Sequence, residues 1–295
     1  MKKFILKFLK IITPIITFVC FTIIYYCFSS IKFNKEFQKI SINEILIMGD
    51  SQAQRIPENI SEKKTVNLAS SGEHFYFTFK KLKKLTENND FRIKKIILGV
   101  GPHNFFPIYN RFGNINFAEG KSDLERYLYY LNLKNDFKFI EKTSNLISYL
   151  FIKGIYSNPK IYGFHESNNQ SPNLDIILKG INQSLSINKN EDKISFSQRE
   201  YLIKIHNFCV KNDIKLILLT TPYHPEFYKR IPKEYFEFFE ETLSMLPKGV
   251  HFNYAKDNIG NEYMSDGNHL NKLGAEKYSK IISNHLISLD KWNKQ

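Results

Sequence analysis

Three residue types that act together in acyl chemistry, a serine, a histidine and an aspartate, stand beside candidate strands far apart in the chain. Ser51 lies in Gly49-Asp50-Ser51-Gln52, directly after the apolar run Ile45-Leu46-Ile47-Met48. That run reads as a short buried strand. A small residue, an acid and a serine at its end predict a sharp turn that lifts a hydroxyl out of a sheet. Loops at the carboxyl ends of parallel strands are where open α/β sheets carry their chemistry. Asp and Ser are also favoured helix N-caps, so the tetrapeptide by itself equally suits an ordinary cap. Serine is a weak nucleophile near neutral pH and needs an adjacent base. His269 is the candidate, on the loop Asp266-Gly267-Asn268-His269 before the last helical stretch. Asp266, three residues earlier, can turn back to accept the His269 Nδ1–H, fixing the tautomer and stabilising the imidazolium. Ser51, His269 and Asp266 are therefore the candidate catalytic set.

Acyl transfer also needs donors for the developing oxyanion. The Ser51 backbone N–H, the Gly72 backbone N–H and the Asn104 side-chain amide are all expected at strand ends on the same edge. Glycine at position 72 lets backbone approach a ligand closely. Each has an ordinary alternative: Gly72 as a turn glycine, Asn104 as a helix cap, Asp266-Gly267 as a plain turn, and His269 as a surface histidine. Their shared order and shared strand-end placement favour the chemical reading. His224, in Thr221-Pro222-Tyr223-His224-Pro225, also follows a strand end and is a candidate substrate contact. His74 and His103 lie near the same edge. Of three cysteines, Cys20 and Cys27 fall in an N-terminal apolar run and Cys209 stands alone. No disulfide or metal framework follows from that set, and no cofactor is expected.

The elements that must hold these residues alternate in type. Thr65–Ala69 reads as a second strand, with Ser70-Ser71-Gly72 as its turn. Phe75, Phe79, Leu82 and Leu85 share one helical face. Residues 93–100 form a third strand, 214–221 the most apolar one, and 250–254 a short last one. Helices are expected over 197–211, 234–246 and 273–289. Strand–helix alternation predicts βαβ units on a mainly parallel sheet. The expected fold is α/β, a three-layer α/β/α sandwich, over residues 31–295. Residues 105–193 are rich in Asn, Tyr, Phe and Lys and break the alternation. They read as an insertion or lid, with helix-like stretches at 123–133 and 137–152 and a loop at 157–172.

The 295 residues suffice for one well-buried domain and an appendage. Hydrophobic content of 42% and charged content of 24% indicate a globular chain. The net charge is +13, with Lys2, Lys3, Lys7 and Lys10 preceding the first apolar run. The excess suits an anionic surface or polymer, and no arginine-rich run or zinc pattern points to nucleic acid. Ile11–Phe28 contains no charged residue. At ~1.5 Å rise per residue it falls just short of the ~30 Å hydrocarbon core, and flanking apolar residues extend it. Lysines before it and Tyr25-Tyr26 near its far end predict a cytoplasmic N terminus. No small-x-small site follows, so residues 1–30 are expected to be an uncleaved anchor rather than a signal peptide. Ser29–Ile42 then reads as a polar tether.

Taken together, Gly49-Asp50-Ser51, a glycine after the second strand, an asparagine after the third, and Asp266-x-x-His269 resemble the four blocks of the SGNH (GDSL-type) hydrolases. Asn67-Leu68-Ala69-Ser70-Ser71-Gly72 is similar to the second block, and Asp266-Gly267-Asn268-His269-Leu270-Asn271 to the last. The resemblance spans Glu44 to Leu289 apart from the insertion. It implies a Ser-His-Asp esterase or acyltransferase. One block departs: the family's Gly-x-Asn is here Gly101-Pro102-His103-Asn104, one residue longer. An N-terminal anchor with an exported domain, and Gln52 after the serine, resemble the bacterial cell-envelope O-acetyltransferases and esterases of that superfamily. That implies an O-acyl group on a cell-envelope or extracellular glycan as substrate. It also implies a plasma-membrane location with the domain outside the cytoplasm. One span cannot carry an activated acyl group across a bilayer, so a transferase would require a multi-span membrane acyltransferase partner or an external donor. The alternative is a non-catalytic glycan-binding or assembly protein on the same scaffold.

Overall fold

The computed structural model describes residues 2–87, 91–111, 130, 161, 163–167, 173–185, 194–247 and 249–292. It comprises two compact units: residues 1–39 with 113–161, and residues 40–112 with 162–295.

In the first unit, helix α1 runs over Lys2–Gln38. Its segment Ile12–Gln38 is long and apolar enough to cross a membrane, with a mean hydropathy of 1.8. The tether expected from Ser29 onward is instead mostly helix, followed by a 3-10 turn at Lys39–Ile42. The physical reason is legible afterwards. No Gly or Pro interrupts Ser29–Gln38, and Phe33 and Phe37 share one helical face. Their rings stack at 5.4 Å, and both meet the edge of Tyr130 at 5.0 Å.

The second unit carries the sheet. Its elements are β1 (Ile45–Met48), α2 (Ser51–Gln54), β2 (Thr65–Asn67), α3 (Phe75–Thr86) and β3 (Lys95–Gly99). After them come α4 (Leu174–Leu185), α5 (Phe196–Lys211), β4 (Lys215–Thr220), α6 (Pro225–Arg230), α7 (Lys233–Ser244), β5 (Val250–Asn253) and α8 (Lys272–Trp292). The five strands are ordered β2-β1-β3-β4-β5 and every pair is parallel. An all-parallel sheet is covered on both faces, and so its strands are almost continuously apolar. Ile45, Ile47, Ile97, Ile217, Leu219 and Phe252 face a core shared with Tyr278, Ile282 and Leu286 of α8. Leu46, Met48, Ile96, Leu98 and Leu218, also buried, alternate to the opposite face. There α5 packs on β4 and α3 packs on α5. The order of strands reverses at β1, which has β2 on one side and β3 on the other. That reversal opens a crevice beyond its carboxyl end.

Helix boundaries follow the expected ones within a few residues, and α6 is an addition. Its signal was present in His224-Pro225, a capping side chain followed by proline at the first helical position. A 3-10 turn at Pro102–Phe105 leads into the expected insertion, within which the structure describes a further 3-10 turn at Pro107–Arg111 and helix α4. The expected helical stretches at 123–133 and 137–152 lie outside the described residues, apart from Tyr130. The described part of the expected loop, 161 and 163–167, has no regular structure.

One buried ion pair props the turn that carries Gly72. Glu73 and Lys81 are fully buried and joined by a short contact. Lys81 Nζ also donates to the Leu68 carbonyl at 2.7 Å, and Thr78 Oγ1 donates to Glu73 at 2.7 Å. Removing one partner strands the other charge in the core, whereas an apolar pair of similar volume avoids both desolvation costs. Lys81→Met is expected to lower unfolding stability by ~3–5 kcal/mol. The Glu73→Leu/Lys81→Met double variant should lose clearly less, as read by urea titration of the full chain in detergent. A double variant as unstable as the single one would contradict this account.

Candidate active site

The turn after β1 is shaped by what it cannot hold. Gly49 has φ +123°, and a Cβ there would lie 3.0 Å from the backbone N and O of Gly99. A Cβ on Gly99 would in turn strike Ala53. These two glycines and one alanine let α2 descend against the ends of β1 and β3. Asp50 is the N-cap of α2, its Oδ1 accepting the Gln52 N–H at 3.0 Å. The capping reading and the chemical reading of Asp50-Ser51 are thus compatible. The cap starts a single helical turn, and Ser51 is its first residue.

Ser51 Oγ lies 2.6 Å from His269 Nε2. His269 Nδ1 lies 2.7 Å and 2.9 Å from the two oxygens of Asp266. Asp266 Oδ1 also accepts the backbone N–H of Asn268 and of His269, each at 2.9 Å. The three-residue spacing therefore closes a small loop in which the acid holds both the ring and its own backbone. With Nδ1–H donated to Asp266, Nε2 is left as an acceptor for the Ser51 hydroxyl. Burial pushes the Asp266 carboxyl up. The hydrogen bond and charge of His269, with the two backbone N–H groups, outweigh it and hold the group below its usual range. The loop is braced from outside: Ser265 N–H donates to the His269 carbonyl at 2.9 Å, and His224 N–H to the Gly267 carbonyl at 2.9 Å. A Cβ on Gly267 would strike Phe227.

Among the described residues, neither the Ser51 nor the Gly72 backbone N–H has an acceptor. Gly72 has φ +65°, and a Cβ there would meet nothing within 4 Å, so that side of the turn is open. The turn is tied to the sheet by Ser70 N–H on the Gly49 carbonyl at 3.0 Å. It is tied to α2 by Ser71 Oγ on Gln54 Oε1 at 2.8 Å. Asn104 is fully buried. Its Oδ1 accepts the Gly101 N–H and its Nδ2 donates to Asp50 Oδ2, both at 2.8 Å. An amide carries two N–H donors, so one remains after the Asp50 bond. The extra residue in Gly101-Pro102-His103-Asn104 is absorbed by the 3-10 turn.

Sequence reasoning missed what lies behind Asp50. Its Oδ2 is met by His103 Nε2 at 2.6 Å, Asn104 Nδ2 at 2.8 Å and the Tyr109 hydroxyl at 3.1 Å. His103 Nδ1 reaches the Tyr223 hydroxyl at 2.6 Å. Burial, then the Asp50 charge, push both tyrosine hydroxyls well above their usual range, so they remain donors. Burial pushes Asp50 up, yet the charge and hydrogen bond of His103, the Gln52 N–H and the His269 charge bring its carboxyl below the usual range. An acid before a serine gives no hint of three partners drawn from residues 103–109.

Two histidines near this edge spend ring nitrogens on the fold. His224, the candidate substrate contact, has both ring nitrogens engaged. Nδ1 accepts the Glu226 N–H at 3.1 Å as the cap of α6, and Nε2 meets Asn261 Oδ1 at 2.7 Å. Its service is to the loop holding His269. His74 caps α3, accepting the Tyr76 N–H at 3.0 Å. Burial pushes it down to about 3, so it stays neutral.

A protein-family model that carries no functional description matches residues 156–290, less than half of the chain. No curated protein matches it. Among solved structures, one provisionally described as a platelet activating factor from Streptococcus pneumonia is similar. The TM-score is 0.44 and the identity 13%, over 93% of this chain and 98% of the other. Likeness at that level does not bear on function.

Proposed function

We propose that this protein is a membrane-tethered serine esterase or O-acyltransferase of the SGNH type, acting on O-acyl groups of a glycan outside the cytoplasm. The observation that supports it most is the continuous chain Ser51–His269–Asp266, with 2.6 Å between Ser51 Oγ and His269 Nε2. That separation is hydrogen-bond contact between nucleophile and base. In the proposed reaction Ser51 Oγ attacks the acyl carbonyl carbon while His269 Nε2 takes its proton. The carbonyl oxygen becomes an oxyanion facing the Ser51 N–H, the Gly72 N–H and the remaining Asn104 N–H. Collapse breaks the ester bond, and His269 returns the proton to the leaving sugar oxygen. Water or a second sugar hydroxyl then attacks the acyl-serine by the same steps in reverse. The first outcome is hydrolysis and the second is transfer. For transfer from a cytoplasmic acyl donor, a multi-span membrane partner would deliver the acyl group.

The tether rests on α1, which at 37 residues is ~55 Å long, more than the ~30 Å a bilayer core requires. The lysines before Ile11 orient it with the N terminus inside. A fluorophosphonate probe with peptide mapping tests the chemistry: label on Ser51, lost in His269→Ala, is the expected result. A reporter fused after Gln295 tests the orientation and should be active only outside the cytoplasm. Absence of label at Ser51, with glycan modification in cells unaffected by Ser51→Ala, would favour a non-catalytic assembly role.

A further inference from the structure

A cavity of about 250 Å³ lies beside the Ser51 turn, with Arg55, Asn59, Phe164, Glu166, Lys272 and Glu276 in its walls. Three segments build it, and each adjoins the candidate site. Arg55 caps the C-terminal end of α2, the helix that starts at Ser51. Lys272 and Glu276 stand on the opening turns of α8, which follows His269 by three residues. Residues 163–167 are stitched onto α2. His165 N–H donates to the Gln54 carbonyl at 3.0 Å, Gln54 Nε2 to the Gly163 carbonyl at 2.9 Å, and Arg55 Nη1 to the His165 carbonyl at 3.1 Å. A Cβ on Gly163 would strike the Asn67 carbonyl, so glycine is what allows so close an approach.

The chemistry of the walls selects among ligands. Two cations are matched by two carboxylates, and Lys272 is already paired with Glu166 at 2.9 Å. An anionic ligand would meet Glu166 and Glu276, with the Asp266 charge acting on the adjacent Arg55. A wholly apolar ligand would cover the buried Arg55 Nε without offering it an acceptor. A neutral ring bearing hydroxyls satisfies acceptors and donors together. Phe164 is 41% exposed and presents an aromatic surface on the same wall. Such a ring can accept the C–H face of a sugar. Arg55 Nε is buried and has no hydrogen-bond partner, so a donor on this wall is unspent. Sites for drug-sized ligands run to ~300–1,000 Å³, so this smaller cavity suits one ring rather than an oligosaccharide.

We propose that the cavity is a subsite for a single uncharged sugar ring. What the bound sugar then does rests on the reading of Ser51 as nucleophile, while binding itself does not. Saturation-transfer NMR on the full chain in detergent, with methyl β-D-glucopyranoside, N-acetylglucosamine and inorganic phosphate as probes, tests it. At least one sugar should bind with Kd of roughly millimolar order, and phosphate should not compete. Phe164→Ala and Glu276→Gln, both at exposed positions, should each weaken the sugar by about fivefold or more. Ser51→Ala should bind it as the wild type does. Binding of phosphate but of neither sugar would overturn the proposal, and so would sugar binding indifferent to both wall variants. Retained sugar binding without fluorophosphonate labelling of Ser51 would support the subsite and remove the acyl-transfer reading. Labelled Ser51 with no bound sugar would remove the subsite alone.

Discussion

Alanine at Ser51 or at His269 is expected to lower turnover of an activated acetyl ester by ~10⁶, the scale found when a nucleophile or its base is removed from such a set. The double variant should be no worse than either single one, because neither residue has a task without the other. Asp266→Asn should retain more activity, falling by ~10⁴. Its carboxylate does not exchange the proton; it orients the ring and offsets the charge that forms there. An asparagine oxygen can still accept the backbone N–H groups of Asn268 and His269, but its amide then opposes the His269 Nδ1–H and favours the wrong tautomer. Asn104→Ala should cost ~10²–10³ in kcat if its remaining N–H meets the oxyanion. Steady-state kinetics on the five variants decide the matter. Additive losses for Ser51 and His269, or an Asn104 variant with unchanged kcat, would contradict the assignments.

The second large effect is expected at Asp50, which touches no reacting atom. Its carboxylate accepts from the Gln52 N–H, His103, Asn104 and Tyr109. Asp50→Asn replaces one acceptor oxygen by a donor amide facing donors. Leaving such buried groups unmatched costs on the order of 3–5 kcal/mol, and the cap that starts α2 weakens with it. The variant should unfold at lower urea and label slowly at Ser51. The pH dependence has a definite sign. The folded Asp50 carboxyl titrates below its ordinary value of 3.8. Its stabilisation is therefore complete above that value and is lost as pH falls through the lowered folded one. Wild type should lose stability in that acid window more steeply than Asp50→Asn, which has no proton to take up there. Equal acid slopes for the two proteins would show that Asp50 is not the group responsible.

Much of the fold was legible because its elements announce themselves locally. Ile45–Met48, 93–100 and 214–221 are apolar runs of strand length, and Phe75, Phe79, Leu82 and Leu85 mark a helix face. Alternation of such runs with helices leaves a parallel sheet as the natural solution. Ser51, Gly72, Asn104 and His269 were legible for the same reason, since each lies in the segment that leads from a strand end toward the next helix. Asp266 was legible because three residues suffice for a loop to fold back on itself. The sequence by itself thus determined the sheet, the edge at which its strand-end loops gather and the three residues in contact there. What it did not determine depends on side chains meeting across the fold. That α1 continues to Gln38 followed from Phe33 and Phe37 finding Tyr130, a contact across nearly a hundred residues. The role of His224 turned on Glu226 and Asn261 occupying both of its ring nitrogens, and the support of Asp50 on His103, Asn104 and Tyr109 arriving from the next strand end. A histidine's partners are not encoded in its neighbours, because hydrogen bonds act over three ångströms in space and not along the chain. Local pattern selects elements; only tertiary packing decides which polar group spends its hydrogen bonds on structure and which keeps one for a ligand.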